Sequence, residues 1–480
     1  MSEDQTPHRR LPFGTKLLYG VGAAASGVKN RALSGFLMIF YNQVMGLPPA
    51  TVALAITIAL VFDAFFDPSV GQASDNFRSR WGRRHPFMYT AAIPYALGFF
   101  LLWNPPAGMP EAYLFAFMLA ALLTIRLFDS FYELPSAAMM PELAPDYNDR
   151  TGLIAIRWFF GLMSGIVIAL LAYQVFMKQN PDGTGGILAR DGYFAFGVTG
   201  AAIIFSVIMI SSLATHHLIP TLRNALARKI TFIGMAKEIF TTVKNRNFVV
   251  LTITGMLAAV ALGLMGGLSI YFALYFWEFD QNQLTLLTIA SVLSSLVGVS
   301  LCTPLSARFG KKQAALAMFI VAVIANNTPV VLRLLDVLPE NGHPAIFWIV
   351  LTEQFVFASC GIMTSIIVTS MIADVVEDNE VKTGRRSEGL LFSADNFFKK
   401  LVSGVGVLMS GFILTMIAFP RQARPGAVDP DILHNMALLY VPMSIGLFVS
   451  AMITLSLYSI DKTAHDDNLR KLRALATPAE

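Results

Sequence analysis

Asp63 and Asp67 lie four residues apart in the apolar stretch Leu60-Val61-Phe62-Asp63-Ala64-Phe65-Phe66-Asp67-Pro68-Ser69-Val70. On a helix that spacing is about 40° of rotation, so both carboxylates project almost together. An ionised carboxylate at mid-membrane costs about 3 kcal/mol or more. Two adjacent acids are therefore retained where they hold positive charge. A mobile cation would make Asp63 and Asp67 a cation site; a neighbouring arginine or lysine would make them a structural ion pair. Pro68 perturbs the local hydrogen-bond ladder and can free a carbonyl as a further oxygen ligand.

Other charges fall where lipid would exclude them. Arg126, Asp129 and Glu133 stand at i, i+3 and i+7, one face of a helix that must look into protein. Such a face contacts a polar ligand or fastens helices together. Arg157 sits among Ile156, Trp158 and Phe159, and Lys29 and Arg31 lie in the middle of a long apolar run near Gly20, Gly22 and Gly27. Glycines there point to close helix packing or a local irregularity. Later in the chain, Glu353, Asp374, Asp395, Lys399 and Lys400 stand out, with Asp395 and Lys399 spaced as a self-neutralising i, i+4 pair. Tyr41, Tyr132 and Trp158 lie near these charges, where rings suit sugar faces or ordinary packing.

These residues must be carried by membrane helices. Of 480 residues, 55% are hydrophobic and 14% charged, where a soluble domain carries about 25% charged residues. Apolar runs of ~20 residues or more recur along the whole chain, and twelve spans can be drawn. The fold class is an all-α membrane protein of twelve transmembrane helices. The polar connection after residue 218 divides them into an N-terminal six-helix bundle (1–218), a middle loop (219–247), a C-terminal six-helix bundle (248–459) and a tail (460–480). Arg80-Trp81-Gly82-Arg83-Arg84 after the second span is echoed by Arg308-Phe309-Gly310-Lys311-Lys312 after the eighth. The two bundles therefore read as a repeat, the organisation of alternating-access carriers.

Basic residues crowd alternate loops, which places those loops and both termini in the cytoplasm. The net charge of +4 invites a nucleic-acid reading, but the basic residues lie in short loops between apolar runs, as membrane orientation requires, and the expectation is no nucleic-acid partner. Cys302 and Cys360 both fall in apolar segments and read as packing residues. The first span is too long for a signal-peptide core and reads as the insertion signal. No HExxH spacing, nucleophile elbow or histidine cluster points to an enzyme; His216-His217 is isolated at a loop edge.

The run Val61 to Gly71, followed by Arg78-Ser79-Arg80-Trp81-Gly82-Arg83-Arg84-His85-Pro86-Phe87, resembles the glycoside-pentoside-hexuronide:cation symporters, which include the melibiose permeases and belong to the major facilitator superfamily. Lys16 to Gly22, Tyr132-Glu133-Leu134-Pro135, Ala373-Asp374 and Lys400-Leu401 extend the resemblance over essentially the whole chain. It implies a cation-coupled carrier with the cation, Na+ or H+, at Asp63 and Asp67. It implies too that Asp129 contacts sugar hydroxyls, with Arg157 nearby, and that Lys400 lies next to the cation site. Three departures matter. The sugar-binding acid of the first span falls near Gly27, with Lys29 and Arg31 close by; a stacking aromatic is replaced by Glu133; and a sodium-ligating hydroxyl falls at Arg126. A guanidinium there would compete with sodium for the acid pair.

The resulting expectation is a symporter of a sugar, glycoside or sugar acid in the inner membrane, acting as a monomer without a cofactor beyond its coupling cation. Asp129, Glu133, Arg157, Lys400, Arg126, Lys29 and Tyr132 are the candidate solute contacts. Arg80, Arg83, Arg84, Arg308, Lys311 and Lys312 are the candidate gate residues. The alternatives are a carrier of lysophospholipid-like or other amphipathic solutes on the same fold, and uncoupled facilitated diffusion.

Overall fold

Backbone crossing lipid has no hydrogen-bond partner but itself, so each apolar run closes into a helix. The computed structural model describes residues 11–144, 146–179, 185–221, 245–383, 388–460, 467–468 and 470–471. Its helices are α1 (Phe13–Gly20), α2 (Ala24–Ile39), α3 (Pro49–Asn76), α4 (His85–Trp103), α5 (Glu111–Leu143), α6 (Tyr147–Leu171), α7 (Asp191–His216), α8 (Arg246–Tyr271), α9 (Gln281–Phe309), α10 (Lys311–Leu334), α11 (Pro344–Thr383), α12 (Glu388–Met416) and α13 (Pro430–Ser456). Among the described residues, eleven helices are long and apolar enough to cross a membrane. The remaining span, the first, is composite. There α1 passes through a 3-10 turn at Val21–Ala23 into α2, which runs out in a π turn at Phe40–Val44. The protein is thus a twelve-span, multi-pass membrane protein.

The chain forms two units, Met1–Lys229 and Ile230–Glu480. In the first, α2 packs on α6 and α7, α3 on α5, and α4 on α5 and α7. In the second, α8 packs on α12 and α13, α9 on α11, and α10 on α11 and α13. Counted by span, both units pair first with fifth and sixth, second with fourth, and third with fourth and sixth. A shared pairing order is what an internal repeat produces. The first span of each unit also ends in a π turn, Phe40–Val44 in one and Phe272–Phe276 in the other. The first span of the second unit follows Asn245, whose side chain caps α8 by accepting from the Asn247 and Phe248 N–H groups. Residues 222–244 of the expected middle loop, Arg385, Arg386 and most of the expected tail lie outside the described residues.

The echoed loops are equivalent in conformation as well as sequence. Gly82 (φ +74°) and Gly310 (φ +80°) both adopt the left-handed region that a side chain disfavours. In each loop the arginine two residues earlier lies over the ring that follows it, Arg80 over Trp81 at 5.4 Å and Arg308 over Phe309 at 5.5 Å. Each glycine then releases the chain into the next span.

Candidate functional site

One helix organises the polar interior of the first unit. Along α5, Arg126, Asp129, Ser130, Glu133 and Ser136 recur at three- and four-residue intervals and so share a face. Together they meet side chains of α1, α2, α3, α4 and α6. Arg126 Nη1 donates to Asp63 Oδ2 of α3 at 2.8 Å. Ser130 Oγ donates to Asp67 Oδ1, one turn further along α3, at 2.5 Å. Asp129 forms an ion pair with Lys29 of α2, and also accepts from Ser26 Oγ at 2.9 Å and from the Tyr95 hydroxyl of α4 at 2.9 Å. Glu133 Oε1 accepts from Arg157 Nη2 of α6 at 2.5 Å, and Arg157 Nη1 donates to Ser136 Oγ at 2.7 Å. The Tyr19 hydroxyl closes this end by donating to the Ser136 carbonyl at 2.6 Å.

Burial makes these contacts consequential. Asp63, Lys29 and Arg157 are 5%, 4% and 6% exposed, and removing one partner of a buried pair costs about 3–5 kcal/mol because the other charge is stranded. Glu133 differs, its side chain 36% exposed and open to a ligand. The arrangement alternates acceptors (Asp129, Glu133) with donors (Lys29, Tyr95, Ser26, Arg157) on one wall. Such a wall matches a polyhydroxylated molecule, whose hydroxyls both donate and accept.

Five expected solute contacts come together here: Asp129, Glu133, Arg157, Lys29 and Arg126. Two do not. Tyr132 is fully buried one turn before Ser136, beside Arg157, with its hydroxyl against Gly22. Lys400 is exposed on α12 in the second unit, where its neighbour Lys399 pairs with Asp395 at 2.6 Å. Ser26, Tyr95, Ser130 and Ser136 were not marked out by sequence; only the placement of Ser130 beside Asp129, four residues after Arg126, signalled one of them.

The acid pair meets a resident cation. Arg126 already neutralises Asp63, and among the described residues no group of three or more His, Cys, Asp or Glu side chains is placed to hold a metal ion. Arg126 thus occupies the Asp63 carboxylate, while Ser130 donates to Asp67.

Four of the candidate gate residues, Arg83, Arg84, Lys311 and Lys312, bond to residues of their own unit. Arg83 pairs with Glu142 at the end of α5; Arg84 Nη1 reaches Glu142 Oε1 at 3.1 Å and Arg84 Nη2 reaches Asp75 Oδ1 at 3.3 Å. In the second unit, Lys311 Nζ lies 2.6 Å from Asp374 Oδ1, and Lys312 Nζ donates to the Tyr458 carbonyl at 2.8 Å. Arg83 and Lys311 are equivalent in the repeat. Each ties the start of its unit's third span to the fourth.

Comparison with known proteins agrees with this architecture. The MFS/sugar transport protein family profile matches residues 18–462. An isoprimeverose transporter of Lactiplantibacillus pentosus is 22% identical, with 94% of this chain and 90% of the relative covered. An uncharacterized symporter of Synechocystis sp. is 25% identical, with 97% of each chain covered. Among solved structures, the inward open xylose transporter XylE of E. coli superposes with a TM-score of 0.65 at 11% identity, covering 96% of this chain and 99% of that one, a likeness of fold. With a repeat of six spans, a charged network along the fourth span and a family match over nearly its whole length, the chain belongs to the MFS/sugar transport protein family, among the glycoside-pentoside-hexuronide:cation symporters.

Proposed function

We propose that this protein is a cation-coupled symporter that moves a sugar, glycoside or sugar acid across the inner membrane, with both termini in the cytoplasm, as a monomer without catalytic activity. The observation that carries the reading is the spacing of Arg126 and Asp129. They stand less than one turn apart on α5, yet Arg126 is anchored to the acid pair of α3 and Asp129 to Lys29 of α2. Cation site and solute site therefore share one rigid element. Positive charge arriving at Asp63 and Asp67 weakens the hold on Arg126, and solute hydroxyls reaching Asp129 and Glu133 compete with Lys29 and Arg157. Binding of both lowers the cost of moving charges that would otherwise be buried unpaired.

A sugar-type solute is supported by the alternating donors and acceptors and by the isoprimeverose transporter among the relatives. The experiment is uptake of radiolabelled isoprimeverose, raffinose and glucuronate into proteoliposomes under imposed Na+, Li+ and H+ gradients. Accumulation above equilibrium with one gradient is expected. Exchange without accumulation under every gradient would leave facilitated diffusion.

One observation favours a second reading. The second unit contains a cavity of about 200 Å³ lined by Phe319, Phe357, Phe448 and Leu262, with Lys399 on its wall. An apolar chamber with a cation at its edge suits an amphiphile such as a lysophospholipid. Labelled lysolipid in the same vesicles separates the two.

A further inference from the structure

Glu353 is the acid that the network in the first unit leaves unexplained. It lies nine residues into α11, about 14 Å along the helix from Pro344. The other acids placed deep in spans have partners: Arg126 for Asp63, Ser130 for Asp67, Lys29 for Asp129, Arg157 for Glu133, Lys311 for Asp374 and Lys399 for Asp395. Among the described residues, the Glu353 carboxyl has neither a cation within ion-pair distance nor a hydrogen-bond donor. Among the described residues, the titratable group facing it is Tyr440 of α13, whose hydroxyl bonds Asn326 Nδ2 of α10 at 3.0 Å, and α8, α9, α10 and α12 bring no lysine, arginine or histidine to it.

A half-buried carboxylate without a counter-charge is disfavoured in a bilayer, and such a group neutralises itself by taking a proton. A structural role would have supplied a partner, as it did for the other six. We propose that Glu353 is a proton-binding site of the transport cycle: its carboxylate takes H+ from water on one side, crosses the cycle as the neutral acid, and returns H+ to water on the other. This rests on the symport reading and adds to it a proton as a coupling ion, bound in the unit that does not contain Asp63 and Asp67.

The test uses proteoliposomes of native protein and E353Q with whichever of isoprimeverose, raffinose and glucuronate the native protein exchanges. Native protein is expected to move protons together with the sugar. E353Q, a neutral isostere, is expected to exchange labelled sugar within about two-fold of the native rate, while accumulation driven by a pH gradient falls at least about ten-fold. Accumulation by E353Q equal to native overturns the proposal, as does native protein whose accumulation answers to sodium alone; symport then stands. If no gradient drives accumulation, symport itself falls. Should E353Q also lose exchange, infrared spectroscopy of the purified protein decides. A protonated carboxyl stretch present in native protein and absent from E353Q supports the proposal, and an unchanged stretch refutes it.

Discussion

Arg126 Nη1 stands 2.8 Å from Asp63 Oδ2, so the acid pair of α3 is met by a cation belonging to the chain itself. Asp63 is 5% exposed and cannot turn to water when the guanidinium is removed. Arg126→Thr should therefore lower stability by about 3–5 kcal/mol. Because the shortened side chain leaves a hydroxyl and two carboxylates facing one space, sodium should take the place of the guanidinium. The expected outcome is a depressed thermal midpoint in choline chloride that rises again in sodium chloride. A variant that melts like the native protein in both salts would show that the pair contributes little.

Asp129 is held by an ion pair with Lys29 and by two hydroxyl donors, Ser26 and Tyr95. Lys29→Met removes the only charge among them. A hydrogen bond to a charged group is worth about 1.5–3 kcal/mol, or about 10- to 100-fold in affinity. If the Lys29 ammonium also touches solute, glucuronate should lose more affinity than raffinose in competition assays on the variant. Equal losses for both sugars would assign Lys29 to holding Asp129 alone.

Legibility in the sequence followed the chemistry of each residue. Asp63, Asp67, Arg126, Asp129, Glu133 and Arg157 could be found because a charge in an apolar run has no ordinary reason to be there. Their pairing was legible only as a choice. The departure at Arg126 implied competition for Asp63 or Asp67, and the structure assigns it to Asp63. Hydroxyl partners were not legible, since serine in a helix satisfies itself on the preceding turn. Ser130 shows why, bonding the Arg126 carbonyl at 3.1 Å as well as Asp67. Tyr132 and its neighbour Glu133 look alike as candidates in sequence, but Tyr132 is fully buried, whereas Glu133 is partly exposed and accepts a hydrogen bond from Arg157. The twelve spans and their repeat were readable from hydropathy and the echoed loops. The helix break at Val21–Ala23 was signalled by glycines without being located.

Lys311 and Asp374 reproduce in the second unit the tie that Arg83 and Glu142 make in the first. Asp374 is 6% exposed, so Lys311→Ala takes a cation from a buried carboxylate, whereas Asp374→Asn leaves a lysine that can reach water. Lys311→Ala should then be the more damaging substitution. The double variant Lys311→Ala/Asp374→Asn should recover part of the loss, measured as initial sugar uptake rate at matched expression. Independent, additive losses would mean the two side chains do not act as a pair.

Gly406 of α12 sits where the backbone of α8 passes. A Cβ there would meet the Val260 carbonyl, and would lie 2.7 Å from Leu264 N and 2.9 Å from Gly263 Cα. All three are main-chain atoms in a helix and cannot rotate away. In the first unit Gly27 of α2 stands in the same relation to the Gly161 carbonyl of α6, on the equivalent pair of spans. Gly406→Ala and Gly27→Ala should each force the paired helices apart, at a cost of about 1–3 kcal/mol or more. Gly266 is the internal control: it lies on α8 with nothing within 4 Å of an added Cβ. Gly266→Ala should therefore be neutral or slightly stabilising, by up to about 1 kcal/mol, because alanine restricts the unfolded chain. Thermal midpoints of the three purified variants test this. A Gly406→Ala protein as stable as Gly266→Ala would mean that α8 and α12 are not in backbone contact.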